Sequence, residues 1–388
     1  MTVAWISFFP IEWLPDIPEE LRRLPRMHPA TWQRVLLAEL KKIPSLRLHI
    51  IVLRKQFERD YTFERNGVVF HLLKTRAGMR APSLFWHDTL LVKRVLRNIR
   101  PDVVHAWGTE NGAALVASRL GCPYVVTMQG LMNWLAELLP VNRHQRFAAV
   151  IERWSLKRAA LVTAESVFAQ RYLNEKFPHL TVEQVEHAPD QLFSQVERRP
   201  QLSPRRFLFV SSLAYAKGGD VLLRALDQMT LELPFELVVV GRTGEAELQA
   251  LRATVSPELW RRLRFKAELT SAEVARELAS AALMIYPTRA DNSPNAVKEA
   301  AVAGVPVVAS AIGGIVDYVF PGENGWLFTP GDVNDCARAI QAACRHPLLG
   351  QGRVEPASLV RTREYLSAER MGRKFFETYR RLAVSKDG

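Results

Sequence analysis

The sequence predicts an α/β protein made of two doubly wound, Rossmann-like parallel-sheet domains that face each other across a cleft. Three observations carry this. Short β-branched runs alternate with amphipathic runs almost from end to end, the signature of parallel strands joined by helices. Runs such as VVV at 238–240 and VPVVA at 305–309 are apolar without alternation, as strands buried on both faces must be. The chain has 388 residues, long for a single core, so two domains of roughly 190 residues each are expected.

The opening MTVAWISFFPIEW reads as a first strand running into a loop. It lacks the basic start and long apolar core of a signal peptide. Strands follow at Leu48–Leu53, Val68–Leu72, Asp102–Ala106 and Tyr124–Thr127, with amphipathic stretches at Thr31–Leu40, Asp88–Ile99 and Gly112–Leu120. Periodicity lapses in DQLFSQVERRPQLSPRR, where prolines and charges read as a linker. The first domain is therefore placed at 1–192, the linker at 193–204 and the second domain at 205–365. Strands resume at Phe207–Val210, Leu237–Val240, Leu283–Tyr286 and Val305–Ala309. Residues 366–388 read as a last amphipathic helix, returning to the first domain, and a tail.

The formal charge is +12, and it is uneven: residues 1–200 hold 28 Lys/Arg against 19 Asp/Glu, and 51–100 alone hold 11 against 4. A one-sided basic surplus attracts anions. The region 74–100 and the stretch Asn133–Trp154 suggest a peripheral membrane contact. No zinc-finger spacing or RNA-binding aromatic motif is present, so nucleic acid is not expected as a partner. Cys122, Cys336 and Cys344 form no CxxC pair, so neither a metal site nor a disulfide framework is expected. No run approaches the ~18 apolar residues of a membrane span. A cytoplasmic location, at most at the inner face of a membrane, is expected.

The most informative stretch is YPTRADNSPNAVKEAAVAGVPVVASAIGG at 286–314. A strand ends at Pro287 and a polar loop follows. Ser293 is suited to cap a helix and Pro294 to open it. Gly304 stops that helix and the chain turns at Gly313-Gly314. The N–H groups of Asn295, Ala296 and Val297 are expected to be free at the helix start, where an anion is welcome. Asp291 and Glu299 cannot bind phosphate, but they can accept hydrogen bonds from sugar or ribose hydroxyls. Earlier, Lys217 and Gly218 lie in a loop after a strand, where a lysine can neutralise a leaving diphosphate. Gly241 ends the strand VVVG and is expected to let the backbone approach a nucleotide base.

Asp291, seven residues, Glu299, then AAVAGVPVVAS and Gly313-Gly314 resemble glycosyltransferase family 4. The family implies the GT-B fold and retaining, metal-independent transfer, with a nucleoside-diphosphate sugar as donor substrate and no cofactor. The resemblance implies that Glu299 holds the ribose and Asp291 lies near the transferred sugar. It implies that Lys217 acts on the diphosphate and that Asn295 and Ala296 contact sugar and diphosphate. This chain departs from the family at three places: Asp291 stands for Glu, Ser211-Ser212 for Gly-Arg, and Gln129-Gly130 for His-Gly. Ser212 can donate a hydrogen bond but brings no charge. Gln129 cannot act as a base, a role that the departing phosphate is thought to fill in this mechanism. PDVVHAWGTENGAALVASRLGCPYVVTMQG also resembles the family's N-terminal domain, which makes His105, Trp107 and Glu110 cleft or acceptor candidates. His28 and Thr31, beside Trp32, are candidates because MHPATW stands where the family has a Gly-Gly loop. Ser166 and Asp190 read as structural.

The expected activity is transfer of a hexosyl group from a UDP- or GDP-sugar to a glycan or lipid-linked acceptor in cell-envelope or extracellular polysaccharide synthesis. The alternative is a non-catalytic GT-B-like protein that binds nucleotide-sugar or glycan, motivated by the three departures.

Overall fold

A computed structural model describes residues 1–14, 17–25, 30–229 and 234–384. The chain divides into two compact units, one of Met1–His187 with the segment from Ala368 onward, the other of Ala188–Ser367.

The first unit is built on an eight-stranded sheet: β1 (Thr2–Ile6), β2 (Arg47–Arg54), β3 (Tyr61–Arg65), β4 (Val68–Lys74), β5 (Val103–Trp107), β6 (Tyr124–Thr127), β7 (Leu161–Ala164) and β8 (Thr181–Gln184). The order is β3-β4-β2-β1-β5-β6-β7-β8. Every pairing is parallel except β3 with β4. That exception has a local cause. Asn66 and Gly67 both take positive φ, the two-residue turn that matches strand twist in a hairpin. The central strand β5 is buried along its whole length, so its one polar residue must be satisfied inside.

The last helix, Ala368–Val384, belongs to this unit. It buries Phe375 and Tyr379 against the sheet's aromatic block. Trp5 donates its Nε1–H to Tyr379 Oη at 3.1 Å, and Trp5 meets Trp107 edge-on at 5.2 Å. The expected return of this helix to the first domain is thus what the fold contains.

The second unit holds a six-stranded, wholly parallel sheet: β9 (Arg205–Val210), β10 (Phe235–Val240), β11 (Leu263–Lys266), β12 (Leu283–Tyr286), β13 (Val307–Ser310) and β14 (Gly325–Phe328). Its order is β11-β10-β9-β12-β13-β14, the dinucleotide-fold order, which reverses between β9 and β12. Loops leaving those two strands diverge to opposite sides, and the crevice between them is where such sheets bind ligands. Helices cover both faces, and Phe207, Leu222, Val238, Ile285, Val308 and Ile340 are fully buried between the layers.

The segment read as a linker is not a free one. The second unit already begins at Ala188. Arg198 extends its guanidinium over five backbone carbonyls, those of Ala281 (2.6 Å), Gly352 (3.0 Å), Ala279 (3.1 Å), Gly304 (3.3 Å) and Leu278. A charged side chain with five donor hydrogens can staple an aperiodic segment to a domain.

Candidate functional site

The loops leaving β9 and β12 meet at the switch point of the second unit. Gly218 has φ +72°, and a Cβ there would lie 1.8 Å from the Pro287 carbonyl oxygen. Only glycine lets the two loops touch. Arg289 N–H then donates to Ala216 O at 2.9 Å, and Thr288 Oγ1 donates to the same carbonyl at 3.1 Å. Arg289 grips Asp220 with both terminal nitrogens, at 2.6 and 2.8 Å, and lies 4.0 Å over the Tyr215 ring. Gly241 takes φ +140°, and a Cβ would meet Ser211 O at 2.7 Å. The missing side chain at Gly241 thus makes room for the Ser211 backbone of the neighbouring loop.

This scaffold brings Lys217 and Asp291 together. Lys217 Nζ donates to Asp291 Oδ2 at 2.6 Å, and Tyr286 Oη donates to the same oxygen at 3.2 Å. Burial works to lower the Lys217 pKa, but Tyr286 and Asp291 outweigh it, and the net effect is a rise. Lys217 is therefore a fixed cation with about a third of its side chain exposed. The Tyr286 phenol is pushed up, first by burial and then by the Asp291 charge, so it stays a neutral donor. Ser211, not Ser212, touches this group through Tyr286 and brings no charge, and Arg289 does not replace the missing cation because Asp220 and Tyr215 engage it.

Asp291 leads into the helix Asn295–Ala303, which Gly304 ends at φ +75°. Its start differs from expectation in three respects. Pro294 occupies the cap position, and no side chain caps the helix. Ser293 is buried, with Oγ 3.4 Å from Tyr318 Oη. Val297 N–H is not free, because the first turn is tight enough for it to donate to Pro294 O at 3.1 Å. The amides of Asn295 and Ala296 keep no backbone acceptor among the described residues, as the first amides of a helix must. Gly314 N–H donates to Asn292 O at 2.6 Å, tying the Gly313-Gly314 turn to the loop that carries Asp291.

Glu299 follows one turn on and is partly buried. No hydrogen bond or ion pair reaches its carboxyl among the described residues. Burial raises its pKa to about 8, the Asp190 carboxylate adds to the rise, and Lys298 opposes it. A carboxyl held like this is poised to accept hydrogen bonds from incoming hydroxyls. Asp190 also caps its own turn through Leu192 N–H at 3.1 Å. The structural role expected of it holds, but its field on Glu299 was not anticipated.

In the first unit the candidates separate. His105 is fully buried, with Nδ1 2.6 Å from Tyr379 Oη and Nε2 2.6 Å from Thr127 Oγ1. Burial, then the nearby His187, holds its pKa well below the usual imidazole value. Trp107 stacks on it at 4.4 Å and is also buried. Both are core residues, not ligand contacts, because β5 is covered on both faces. Thr31 opens the helix Thr31–Leu40 and is likewise packed inside. His28 lies outside the described residues. Glu110 and Gln129 do come together, at the carboxyl ends of β5 and β6. A Cβ on Gly108 would lie 2.4 Å from Glu110 Oε2 and 3.2 Å from Gln129 Oε1. Gly130 N–H donates to Glu110 Oε1 at 2.9 Å.

Sequence reasoning missed Tyr286 and Glu152. Tyr286 carried a signal: a hydroxyl ending an otherwise apolar strand. Glu152 carried none, since it lies on an amphipathic helix far along the chain. Folding buries it to accept from Met132 N–H and Asn133 N–H, both at 3.0 Å, and so cap the helix Met132–Leu138. A groove of about 550 Å³ opens at the opposite edge of this sheet, between the starts of β2 and β4. No predicted residue lines it.

Two family models match the chain: a glycosyl transferase 4-like domain over residues 45–185 and glycosyl transferases group 1 over residues 204–346. The glycogen synthase of Mycobacterium tuberculosis is 25% identical over 79% of this chain and 74% of its own. A D-inositol 3-phosphate glycosyltransferase of Catenulispora acidiphila is 30% identical over 63% of this chain and 64% of its own. Among solved structures, a sucrose-phosphate synthase from Thermosynechococcus elongatus superposes with TM-score 0.79 at 17% identity, covering 99% of both chains. Anabaena HepE in complex with UDP-glucose superposes with TM-score 0.71 at 17% identity, covering 97% of this chain and 99% of its own. With matched domains in both halves, and with a parallel-sheet domain in each, the chain belongs to the family 4 type of glycosyltransferases, enzymes of the GT-B fold that transfer glycosyl groups.

Proposed function

We propose that this protein is a retaining, metal-independent hexosyltransferase that takes a nucleoside-diphosphate sugar in its second unit. The observation that carries the reading is the grouping at the β9/β12 switch point: Lys217 as a fixed cation, the helix amides of Asn295 and Ala296 with no backbone acceptor among the described residues, and Glu299 with no hydrogen bond among them. A cation and aligned amides stabilise charge that develops on a leaving diphosphate. Glu299 accepts from ribose hydroxyls, and Asp291, held by Lys217 and Tyr286, lies beside the transferred sugar. In retaining transfer of this type the departing phosphate takes the acceptor's proton, so Gln129 need not act as a base. UDP-glucose in the related HepE structure favours a UDP-sugar over a GDP-sugar. Thermal-shift measurement across UDP-, GDP- and ADP-sugars tests the reading, since a specific ligand raises stability by linkage. One nucleotide series should stabilise the wild type and not Glu299→Ala. Absence of any shift would refute donor binding.

The second reading is a non-catalytic nucleotide-sugar or glycan binder. Asp291 already neutralises Lys217, and Ser212 adds no charge, which favours binding without turnover. Donor consumption separates the two: binding without hydrolysis or transfer supports the second.

The acceptor is a glycan or a lipid-linked saccharide of envelope or extracellular polysaccharide synthesis, met at the inner face of a membrane. No helix among the described residues is long and apolar enough to cross a membrane. The helix Trp86–Ile99 nevertheless exposes Trp86 (51%) and Leu90 (64%), with Lys93 and Arg97 one and two turns beyond Leu90. An aromatic, an aliphatic and cations along one face suit an anionic bilayer surface. Co-sedimentation that ignores the anionic lipid content of vesicles would count against this contact.

A further inference from the structure

We propose that the groove between the starts of β2 and β4 is a binding site for a hydroxyl-bearing phosphomonoester, whose phosphate is held by Lys41, Arg47 and the turn amides of Asn66 and Gly67. The groove opens at the edge of the first unit's sheet opposite the carboxyl ends of β5 and β6. It shares no residue with the grouping around Lys217 and Glu299, so its ligand is additional to the sugar donor.

Strand register assembles the side chains. His49 of β2 and Glu64 of β3 both pair with Val69 of β4, and residues paired across strands share one face of the sheet. Arg47 stands two residues before His49 and so lies on that face as well. The charges act on one another there: burial first, then Arg47, hold the His49 imidazole below its ordinary value, while Glu64 opposes them. Lys41 enters the same groove from the end of the helix Thr31–Leu40. The volume of about 550 Å³ falls in the range of small-molecule sites.

The polar groups that line it are unspent. Lys41, Arg47 and Glu64 are exposed, and none of the three makes a side-chain hydrogen bond or ion pair among the described residues. Asn66 and Gly67 close the β3–β4 hairpin with φ +49° and +76°. Their N–H groups donate to no backbone carbonyl among the described residues. The space beside Gly67 is open, with no atom within 4 Å of where a Cβ would stand. Successive free amides on a turn form a concavity that binds anions, and here two cations stand beside it.

Glu64 decides what the anion must carry. A carboxylate repels bare phosphate but accepts hydrogen bonds from hydroxyls, and two cations outnumber it, which disfavours a metal ion. His49 adds a directional hydrogen-bond donor. Its Nδ1 lies 3.1 Å from His71 Nε2, and His71 Nδ1 lies 3.4 Å from Thr62 Oγ1. With the Thr62 hydroxyl donating to His71 and His71 Nε2–H donating to His49, the free hydrogen of the His49 ring falls on Nε2. That ring lines the groove. Cations and amides thus take the phosphate, and Glu64 takes the hydroxyls.

The probes are inorganic phosphate and glycerol 3-phosphate, titrated by calorimetry into the whole protein with excess UDP present to occupy the second unit. The wild type should bind both, and glycerol 3-phosphate more tightly. Arg47→Gln should weaken both by about tenfold or more, the scale of one charge-assisted hydrogen bond. Glu64→Gln should strengthen inorganic phosphate and narrow the preference for glycerol 3-phosphate. Arg171→Gln removes an equal charge from an exposed position on the helix Val167–Lys176 and should leave both affinities unchanged. Urea unfolding should be the same for all three variants and reports that they are folded. Three results each overturn the proposal: no binding of either anion to the wild type, undiminished binding in Arg47→Gln, or equal losses in Arg47→Gln and Arg171→Gln.

Discussion

Glu299→Gln tests the donor site most sharply, because the structure sets both a magnitude and a sign. The carboxyl is partly buried in the helix Asn295–Ala303, has no protein donor among the described residues, and is faced by Asp190. Burial, then Asp190, raise its pKa to about 8 against the pull of Lys298. At neutral pH the free protein therefore holds it mostly protonated. Ribose hydroxyls donate to the ionised form, so nucleotide binding should expel close to one proton. Linkage then makes UDP affinity rise by up to about tenfold per pH unit below pH 8, with a plateau above. The Gln variant keeps a neutral acceptor and loses the charge-assisted part, about 1.5–3 kcal/mol, which is roughly 10- to 150-fold in Kd on the plateau. Its pH slope should vanish. Stability has the opposite sign. A carboxyl whose folded pKa is raised leaves the fold most stable below the ordinary value of 4.5, and that stability is lost as pH rises towards about 8. The Gln variant should lose less stability over that range, by on the order of 1–2 kcal/mol after solvent screening. Calorimetry in two buffers of different ionisation enthalpy counts the proton. A wild type that releases none, or a variant that keeps the slope, refutes the reasoning.

Other outcomes follow from the same contacts. Lys217→Ala should lower kcat by about 10²–10³, the scale for removing one group that stabilises leaving-group charge; steady-state kinetics with the matched UDP-sugar measure it. Tyr379→Phe removes the hydroxyl shared by Trp5 and His105. It should cost about 1–3 kcal/mol in urea unfolding and leave UDP affinity unchanged. Arg198→Ala strips donors from five carbonyls and should cost about 2–4 kcal/mol in the same assay, against no loss if the segment were a free linker.

Much of the fold was legible, for reasons that can be named. Strands such as Tyr124–Thr127 and Leu283–Tyr286 fall where the apolar runs lie, because strands buried on both faces tolerate little else. The strand Tyr61–Arg65 escaped notice although Asn66-Gly67 marks its hairpin. It is an edge strand of five residues with alternating exposure, and Tyr61 and Phe63 alone carry its apolar signal. Ser293 looked like a cap by composition, yet its hydroxyl turns inward beside Tyr318, a partner 25 residues on that local pattern does not see.

The sequence by itself determined the two parallel-sheet domains, the loop and helix from Asp291 to Glu299, the placement of Lys217 on a neighbouring loop, and the glycines that stop and turn the chain. These are local matters of periodicity, capping and backbone freedom. Tertiary structure decided which polar groups are spent and which are left over. It locked His105 between Thr127 and Tyr379, consumed Arg289 on Asp220, paired Lys217 with Asp291, and left the Glu299 carboxyl and the Gln129 carboxamide without a hydrogen bond among the described residues. The physical reason is that a buried polar group must find a partner, and partners here come from segments up to 374 residues apart.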